Sequence, residues 1–323
     1  MIDDDSTGQE EVQGEAGTTQ GAPAGRPFRA GYVTIMGEPN VGKSTLMNRF
    51  LNQKLSIVSN KPQTTRHRIL GILTDDDTQV VFLDTPGIIK PKYLLQEAMM
   101  QFAGRAIADA DVLLFMVDAL DPKTDSDLAH AEAFQRLQSF HKPVLLVINK
   151  VDTIPKLQLL PIIDFYSRAF PFKEVFPVSA LTGDGAFALR SALRDLLPEH
   201  PPLYPPDIVS EHSERFFASE IIREKVFLGC HEEIPYATSV EVIDFKEREF
   251  GKWFIAAEIY VERDSQKGIL IGKKGSKLKE IGGQARKDIE TLIGHPVFLD
   301  LKVKVREKWR EDAGWLKKMG YGE

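Results

Sequence analysis

The sequence predicts a two-domain protein, in which an α/β domain with a doubly wound, mostly parallel sheet is followed by a smaller α+β domain. The chain has 323 residues, a length that suits two domains, and 42% of them are hydrophobic, which is enough to fill a core. Up to residue 198, short apolar runs alternate with segments of helical spacing, which is typical of βαβ units. Beyond a proline-rich stretch, the predicted elements follow the different order αββααβ.

The elements of the first domain follow from the spacing of apolar residues. Short runs, several of them apolar at consecutive positions, predict strands that are buried on both faces of a parallel sheet. These predicted strands are Tyr32–Met36, Gln79–Leu83, Val112–Val117, Val144–Ile148 and Val175–Val178. The segments with helical spacing are Ser44–Leu51, Leu94–Ala108, Ser126–Gln138 and Ala186–Leu197.

The second domain begins after five prolines that fall within residues 198–206 and predict a stiff linker. We expect a domain at 28–198, the linker at 199–207, a second domain at 208–308 and a C-terminal extension at 309–323. The helices predicted beyond the linker are Ser213–Phe227, Ser265–Ile271 and Ser276–Ile293. The strands predicted there are Thr238–Phe245, Trp253–Val261 and Val297–Val305.

Charge is distributed unevenly along the chain. Residues 1–25 contain six acidic residues and no lysine or arginine, so they account for the whole net charge of −6. With few large apolar side chains, residues 1–27 are expected to form a disordered acidic tail. Between residues 264 and 318 there are 14 lysines and arginines against 8 acidic residues, an excess that attracts polyanions.

Composition also excludes several classes of protein. The single cysteine, Cys230, rules out an intrachain disulfide framework and a cysteine-rich zinc site. No apolar run reaches the roughly 18 residues of a spanning helix, so no transmembrane helix is expected. The acidic start lacks the apolar core of a signal peptide, and we therefore expect a cytosolic protein.

A phosphate-binding loop is predicted between the first strand and the first helix. Residues 37–44 fit the pattern G-x-x-x-x-G-K-[ST], in which backbone N–H groups and the helix N-terminus surround phosphates. Lys43 would reach the β and γ phosphates, and Ser44 would bind Mg²⁺. The residues expected to contact nucleotide here are Gly37, Glu38, Pro39, Asn40, Val41, Gly42, Lys43, Ser44 and Thr45.

Four further motifs occur in order along the chain and together predict a guanine nucleotide. Three of them follow predicted strands: Asp84-Thr85-Pro86-Gly87, Asn149-Lys150-Val151-Asp152 and Ser179-Ala180-Leu181. Asp84 would bind Mg²⁺ through a water molecule. The Gly87 N–H would donate a hydrogen bond to the γ-phosphate. Asp152 can accept two hydrogen bonds from guanine that adenine cannot offer, and the Ala180 N–H could bind the guanine O6. The fourth motif, Gln63-Thr64-Thr65-Arg66, offers Thr65 as a second Mg²⁺ ligand.

These five motifs and the αββααβ order resemble the bacterial Era GTPase family from about Phe28 to the C-terminus. The resemblance implies a P-loop GTPase domain and a type II KH domain, with GTP/GDP and Mg²⁺ as ligands. Lys43, Thr65, Asp84 and Gly87 are the expected catalytic residues. The resemblance also implies binding to the 3′ end of small-subunit (16S) ribosomal RNA and a role in 30S assembly on the pre-30S subunit. We expect a monomer, with peripheral contact at the inner membrane face left open.

Slow hydrolysis is expected from the residues that follow Gly87. Many GTPases orient the attacking water with a glutamine there, whereas this chain has Ile88 and Ile89. Backbone groups, the γ-phosphate and Mg²⁺ would have to order the water instead. Arg66 is a candidate internal arginine finger, but a surface or packing role is favoured for it.

A second glycine-rich loop, residues 268–276, predicts an RNA site between two helices. A GxxG loop in a KH domain brings its backbone close to about four nucleotides. Lys273 and Lys274 would supply charge to the phosphates, and Ile269 and Ile271 would line an apolar floor. The residues predicted to bind RNA are Gly268, Ile269, Ile271, Gly272, Lys273, Lys274, Gly275 and Ser276.

The C-terminal segment and the overall function leave alternatives open. Trp309, Trp315 and Tyr321 lie among basic residues, and either stack on RNA bases or pack the last helix onto the protein. A small-molecule P-loop kinase and a membrane-surface GTPase are the competing functions. Comparing GTP with ATP binding tests the first, and liposome pelleting tests the second. A tRNA-modifying GTPase is less favoured, since no additional catalytic domain is evident.

Overall fold

The first domain is built around a mixed sheet that is parallel except at one edge. A computed structural model describes residues 27–121 and 123–322, so the expected acidic tail lies outside the described residues up to residue 26. The strands are β1 (Arg29–Gly37), β2 (Ile69–Thr74), β3 (Thr78–Asp84), β4 (Val112–Asp118), β5 (Val144–Asn149) and β6 (Glu174–Pro177). Their order is β2-β3-β1-β4-β5-β6, with only β2 antiparallel to its neighbour in this sheet. The predicted fold class is confirmed.

Helices cover both faces of this sheet. They are α1 (Lys43–Leu51), α2 (Leu94–Asp109), α3 (Asp125–His130), α4 (Glu132–Leu137), α5 (Leu159–Ala169) and α6 (Ala186–Leu196). On one face, Leu46 of α1 and Leu189 of α6 join the core, and on the other face Met99 of α2 and Phe134 of α4 do so. The carboxyl ends of the parallel strands meet at one edge, where ligands bind in doubly wound folds.

Three features of this domain differ from the sequence prediction. The helix predicted over 126–138 is broken at Ala131, whose ψ of 117° is extended. Strand β2 was not predicted, because Gly71 interrupts its apolar run. A Cβ on Gly71 would lie 2.5 Å from Leu51 Cδ1, so the missing side chain lets α1 pack closely. Helix α5 was also not predicted, and its Pro161 is tolerated because it lies in the first turn.

The second domain contains a three-stranded sheet with helices on one face. Its elements are α7 (Glu214–Gly229), α8 (Ile234–Ala237), β7 (Ser239–Lys246), β8 (Trp253–Val261), α9 (Asp264–Ile271), α10 (Ser276–Ile293), β9 (Val297–Val305) and α11 (Ala313–Lys318). Strand β8 lies between antiparallel β7 and parallel β9. Ile222 of α7, Ile259 of β8 and Ile289 of α10 are fully buried in its core. Apart from the short α8 and α11, the elements follow the predicted αββααβ order.

The C-terminal aromatic residues pack inside the protein. Trp309 is fully buried, and Trp315 and Tyr321 are nearly so, in the core cluster that also contains α2. Trp309 Nε1 donates a hydrogen bond to the Ala237 carbonyl at 2.8 Å. The interpretation that these side chains stack on RNA bases is therefore wrong, and the packing alternative holds.

Within the described ranges, no helix is long and apolar enough to cross a membrane.

Candidate nucleotide site and RNA-binding loop

A cleft of about 510 Å³ lies at the carboxyl edge of the first sheet. Side chains or backbone from all five predicted motifs line it, although those motifs are spread from residue 37 to residue 181. The predicted residues in its lining are Pro39, Asn40, Gly42, Lys43, Ser44, Thr45, Thr65, Gly87, Asn149, Lys150, Asp152, Ser179, Ala180 and Leu181. The cleft is also lined by five residues that no motif or periodic pattern in the sequence marks, namely Ile57, Val58, Ser59, Asn60 and Thr153.

The loop between β1 and α1 turns sharply because of its backbone conformation. Gly42 has φ +106°, and a Cβ there would lie 2.1 Å from Asn149 Nδ2, so only glycine fits. The buried Lys43 donates hydrogen bonds to the carbonyls of Gly37 at 3.2 Å and Glu38 at 2.8 Å. Burial lowers the pKa of Lys43 to about 8, although the nearby Asp84 and Glu38 carboxylates oppose this shift.

Three side-chain oxygens converge beside Lys43. Ser44 Oγ lies 2.6 Å from Asp84 Oδ2 and 2.9 Å from Thr65 Oγ1, and Thr65 Oγ1 lies 3.4 Å from the same carboxylate. Asp84 is fully buried, and burial raises its pKa. Among residues 27–121 and 123–322, its Oδ1 has no hydrogen-bond partner. A divalent cation would compensate this buried carboxylate, and Mg²⁺ prefers one or two carboxylates with other oxygen ligands. The residues therefore fit Mg²⁺.

The remaining residues of the Asp84–Gly87 motif have structural positions. Thr85 is buried and donates its hydroxyl to the Ile35 carbonyl at 3.0 Å, which holds the motif against β1. Gly87 lies against Pro39 and lines the cleft. The next residue, Ile88, is buried, and its N–H donates to the Gly37 carbonyl. The Ile88 side chain therefore has neither the chemistry nor the position to orient a water.

The other end of the cleft carries the residues expected to read guanine. The buried Asn149 donates to the Val41 carbonyl at 2.7 Å and accepts from the Ala180 N–H at 2.9 Å. Asn149 thus joins the phosphate loop to the loop after β6. The Ala180 N–H, which the sequence predicts as a donor to the guanine O6, donates to Asn149 in this structure. Asp152 is exposed at the cleft, where its carboxylate can accept hydrogen bonds. Leu181 is 72% exposed beside it and offers an apolar surface to a base.

Arg66 does not point into the cleft. It is 1% exposed, and its guanidinium donates to carbonyls of the second domain, at residues 235, 236 and 238. With both terminal nitrogens committed there, it cannot reach a phosphate in this arrangement. The interpretation of Arg66 as an arginine finger is therefore contradicted by the structure, and the packing role is the correct one.

The GxxG loop joins α9 to α10 as a tight turn. Gly272 and Gly275 have φ of +72° and +76°, and Lys274 between them also has a positive φ. Lys273 and Lys274 are exposed, and neither makes an ion pair with another residue of the described part of the chain. Ile269 is 58% exposed, whereas Ile271 is half-buried against the core. The loop thus presents backbone, two exposed ammonium groups and an apolar side chain to solvent.

Family models and relatives match this organisation. The model described as 50S ribosome-binding GTPase matches residues 32–150, and the KH domain model matches residues 233–310. GTPase Era from Geotalea daltonii is 50% identical over 296 residues, which are 91% of this chain and 98% of that protein. GTPase Era from a Geobacter species is 48% identical over 297 residues, covering 92% of this chain and 99% of that protein.

Two solved structures are similar over nearly the whole chain. The crystal structure of an Aquifex aeolicus Era variant bound to GDP and AlF₄⁻ has a TM-score of 0.86 and 40% identity, with 92% of this chain and 100% of that chain covered. A crystal structure of Era with MgGDPNP and nucleotides 1506–1542 of 16S ribosomal RNA gives the same TM-score of 0.86, identity and coverage. The phosphate loop, the Mg²⁺-compatible oxygens, the KH loop and these relatives lead to one conclusion: the chain belongs to the Era family of GTPases.

Proposed function

We propose that this Mg²⁺-dependent GTPase binds the 3′ end of 16S ribosomal RNA through its KH loop and assists assembly of the 30S subunit. The observation that carries the proposal is the presence, in one chain, of a nucleotide cleft lined by the five motifs and a loop that exposes two lysines at a tight GxxG turn. The Era complex with 16S ribosomal RNA nucleotides supports this target.

The proposed nucleotide contacts follow from where each side chain lies in the cleft. Lys43 would contact the β and γ phosphates. Its hydrogen bonds to the Gly37 and Glu38 carbonyls hold its ammonium group against the phosphate loop. Ser44 and Thr65 would bind Mg²⁺, while Asp84 acts on the metal through water. When bound, Mg²⁺ neutralises charge on the phosphate oxygens. The Gly87 N–H would meet the γ-phosphate, and Asp152 would accept the guanine N1–H and amine.

Turnover is proposed to be slow because the cleft supplies few catalytic groups. Positioning and charge stabilisation account for nearly all phosphoryl-transfer catalysis. Ile88 is buried in the core and Arg66 is bonded to the second domain, so neither assists the attacking water. Lys43, Thr65 and the backbone of Gly87 remain as the groups that hold the γ-phosphate and its water.

Base specificity gives a first prediction. Asp152→Asn is expected to weaken GTP binding about 100-fold. The Asp152 carboxylate would accept two charge-assisted hydrogen bonds from guanine, whereas the neutral asparagine amide has only one acceptor oxygen. The same variant should gain affinity for xanthosine triphosphate, whose second carbonyl can accept from the new amide N–H. Calorimetric titration with both nucleotides measures the change. An unchanged preference for GTP would remove Asp152 from the base site.

RNA binding gives a second prediction. Gly275→Asp is expected to weaken binding of a single-stranded RNA copied from the 3′ end of 16S ribosomal RNA about tenfold or more. The new carboxylate would stand in a loop that approaches phosphates and would repel them. The space around Gly275 is open, and aspartate tolerates a positive φ better than most residues, so the fold should survive. Fluorescence anisotropy with the full-length protein measures the affinity.

Gly251→Asp is the matched control for this variant. Gly251 also has a positive φ, of +82°, and open surroundings, but it precedes β8, whereas the KH loop lies beyond the other end of that strand. It should bind RNA as the unmodified protein does. Equal weakening by both substitutions would mean that nonspecific charge, rather than the KH loop, governs the affinity.

We also propose a cytoplasmic monomer, with membrane contact as a peripheral and secondary property. Part of the basic charge of the C-terminal segment is already paired within the protein, since Lys304 pairs with Glu258 at 2.6 Å and Arg306 with Asp312 at 2.7 Å. Arg310 likewise pairs with Glu262 at 2.5 Å. Pelleting with anionic and neutral vesicles tests the membrane contact, and strong binding to anionic vesicles alone would favour it.

A further inference from the structure

The positive surface around the KH loop has a counterpart of opposite charge in the same chain. Residues 265–279, here called the basic run, extend from α9 through the KH loop into α10 and contain five lysines and no acidic residue. We propose that the acidic tail docks on the basic run and competes there with RNA. The inference rests on the proposed function in naming RNA as the competitor, whereas the docking itself involves this chain alone.

Three lysines of the basic run are exposed to solvent. Lys273 and Lys274 lie in the KH loop, and Lys279 lies near the start of α10. Lys277, between them, pairs with Glu280 at 3.1 Å. Because ammonium groups that lie close in sequence at one helix start reinforce the local positive potential, an anion is favoured there.

The start of α10 adds to this potential. The helix has 18 residues, follows the KH loop directly and carries no acidic side chain in its first turn. Its N-cap, Gly275, makes no side-chain capping bond to the first N–H groups. These groups carry partial positive charge and bind carboxylates and phosphates alike. The same surface can therefore accept the phosphates of RNA or the carboxylates of a peptide.

The acidic tail supplies the complementary charge. Its carboxylates all fall within residues 3–15, a stretch that contains no lysine or arginine. They are Asp3, Asp4, Asp5, Glu10, Glu11 and Glu15. The stretch has no aromatic residue, and Val12 is its only large apolar one, so charge is what it offers to a partner surface. Lysine ammonium groups are the partners that this composition fits.

The tail joins the folded part of the chain at a point from which the basic run is within reach. The Phe28 carbonyl accepts from the His200 N–H at 3.1 Å, so the tail joins beside the linker that leads into the KH domain. The carboxylates precede Phe28 by 13 to 25 positions. An extended chain of that length spans roughly 40–80 Å at about 3.3 Å per residue. A compact protein of about 300 residues is roughly 50 Å across.

Other basic stretches are less suitable because their side chains bind within the protein. Residues 39–74 also lack acidic residues and contain six lysines and arginines. Each of the six donates to a carbonyl or a carboxylate elsewhere in the protein: Lys43, Arg49, Lys54, Lys61, Arg66 and Arg68. The basic run, by contrast, combines a local excess of positive charge with exposure.

Docking would lower the affinity of every RNA by the same factor. A tethered ligand acts at an effective concentration on the order of 1 mM. If the tail binds with a dissociation constant of about 0.1–0.5 mM, it weakens a competing RNA about three- to tenfold. RNA that is held by phosphate contacts alone would then be displaced, whereas RNA whose bases also bind the KH domain would displace the tail.

Carbodiimide crosslinking of the full-length protein, in the absence of RNA, tests the docking. The reagent joins a carboxylate to an amine in contact with it, and mass spectrometry identifies the joined residues. The expected crosslinks connect residues 3–15 with Lys273, Lys274 or Lys279. Crosslinks spread evenly over other exposed lysines, such as Lys90 and Lys92, would overturn the proposal. Crosslinks found only between isotopically light and heavy copies would assign the occupant to a second chain and would overturn it as well.

The two aspartate variants described above give the matched comparison for these crosslinks. Gly275→Asp places a carboxylate beside the exposed lysines and should reduce the crosslinks at least threefold by repelling the tail. Gly251→Asp adds the same charge at the other end of β8 and should leave them unchanged. Equal crosslinking in both variants would contradict docking at the basic run.

RNA affinity provides the second measurement. The test variant removes the charge of the tail with Asp3→Asn, Asp4→Asn, Asp5→Asn, Glu10→Gln, Glu11→Gln and Glu15→Gln. It should bind single-stranded RNA about three- to tenfold more tightly than the unmodified protein, and the difference should shrink at high salt. The control carries six neutral changes and should bind as the unmodified protein does: Thr7→Ser, Gln9→Asn, Gln13→Asn, Thr18→Ser, Thr19→Ser and Gln20→Asn.

The outcomes separate this inference from the proposed function. Equal RNA affinities of the test variant and the unmodified protein would overturn the competition and leave RNA binding intact. Tighter RNA binding by the test variant without the expected crosslinks would mean that the tail repels RNA through space, which overturns the docking. Absence of RNA binding in all three proteins would overturn the proposed function, while the crosslinks would still decide whether the tail docks.

Discussion

Replacing Asp84 with asparagine is expected to reduce Mg²⁺-dependent GTP hydrolysis about 100-fold or more while leaving the fold at least as stable. The carboxylate is fully buried, and burial raises its pKa because the charged form is poorly solvated. Its partners Ser44 and Thr65 supply hydroxyls that can bind the metal, and the described residues contain no cluster of three or more His, Cys, Asp or Glu side chains that could hold a metal ion instead. Loss of this negative charge would therefore weaken Mg²⁺ binding. It would also reduce the stabilisation of the transition state by the metal, which is worth several kcal/mol.

Single-turnover hydrolysis measured over a range of Mg²⁺ concentrations tests this prediction. Asp75→Asn is the control, since Asp75 is partly exposed and pairs with Arg190 far from the cleft along the sheet. That variant should hydrolyse GTP at the unmodified rate. Normal turnover by Asp84→Asn, with an unchanged Mg²⁺ dependence, would show that the metal is held elsewhere.

Gly42→Ala is expected to weaken binding of both GTP and GDP about 100-fold or more. The new Cβ would lie 2.1 Å from Asn149 Nδ2, at a backbone φ of +106° that strains any residue with a side chain. Asn149 cannot yield freely, because its amide also holds the Val41 and Ala180 backbone. One methyl group thus disturbs the phosphate end and the base end of the cleft together.

Gly104→Ala provides the control for this substitution. Gly104 lies within α2, where the nearest neighbour of a new Cβ, Arg136 Nη1, is 3.9 Å away. It should bind nucleotide normally and raise the free energy of unfolding by about 0.5–1 kcal/mol through helix propensity. Calorimetric titration and thermal unfolding of the two variants give the comparison. Tight GTP binding by Gly42→Ala would mean that the loop adopts a different conformation when it binds nucleotide.

Local signals in the sequence were sufficient for the fold class and for most of the cleft. The phosphate loop lies between β1 and α1, as its motif predicts. The motif is informative because the conformation of the loop depends on residues that are adjacent in the sequence. The order of elements around the KH loop was equally predictable, since apolar spacing differs between strands and helices. The parallel sheet then brings the motif-bearing strand ends to one edge without further information.

Features that depend on contacts between the domains could not be predicted in this way. The carbonyls that Arg66 binds lie 169 to 172 positions along the chain, so no local pattern distinguishes it from a surface arginine. Trp309 lies in a basic segment that suits RNA, but tertiary packing buries it against α2. Strand β2 is defined by its pairing with β3, and its glycine conceals an otherwise apolar run.

Crosslinking in cells, followed by sequencing of the RNA attached to this chain, tests most directly whether the GTPase recognises ribosomal RNA through its KH loop. The expected result is a peak at the 3′ end of small-subunit ribosomal RNA that disappears in Gly275→Asp and persists in Gly251→Asp. A diffuse signal, or a peak that survives in Gly275→Asp, would contradict recognition through that loop and would leave the nucleotide site without its proposed RNA partner.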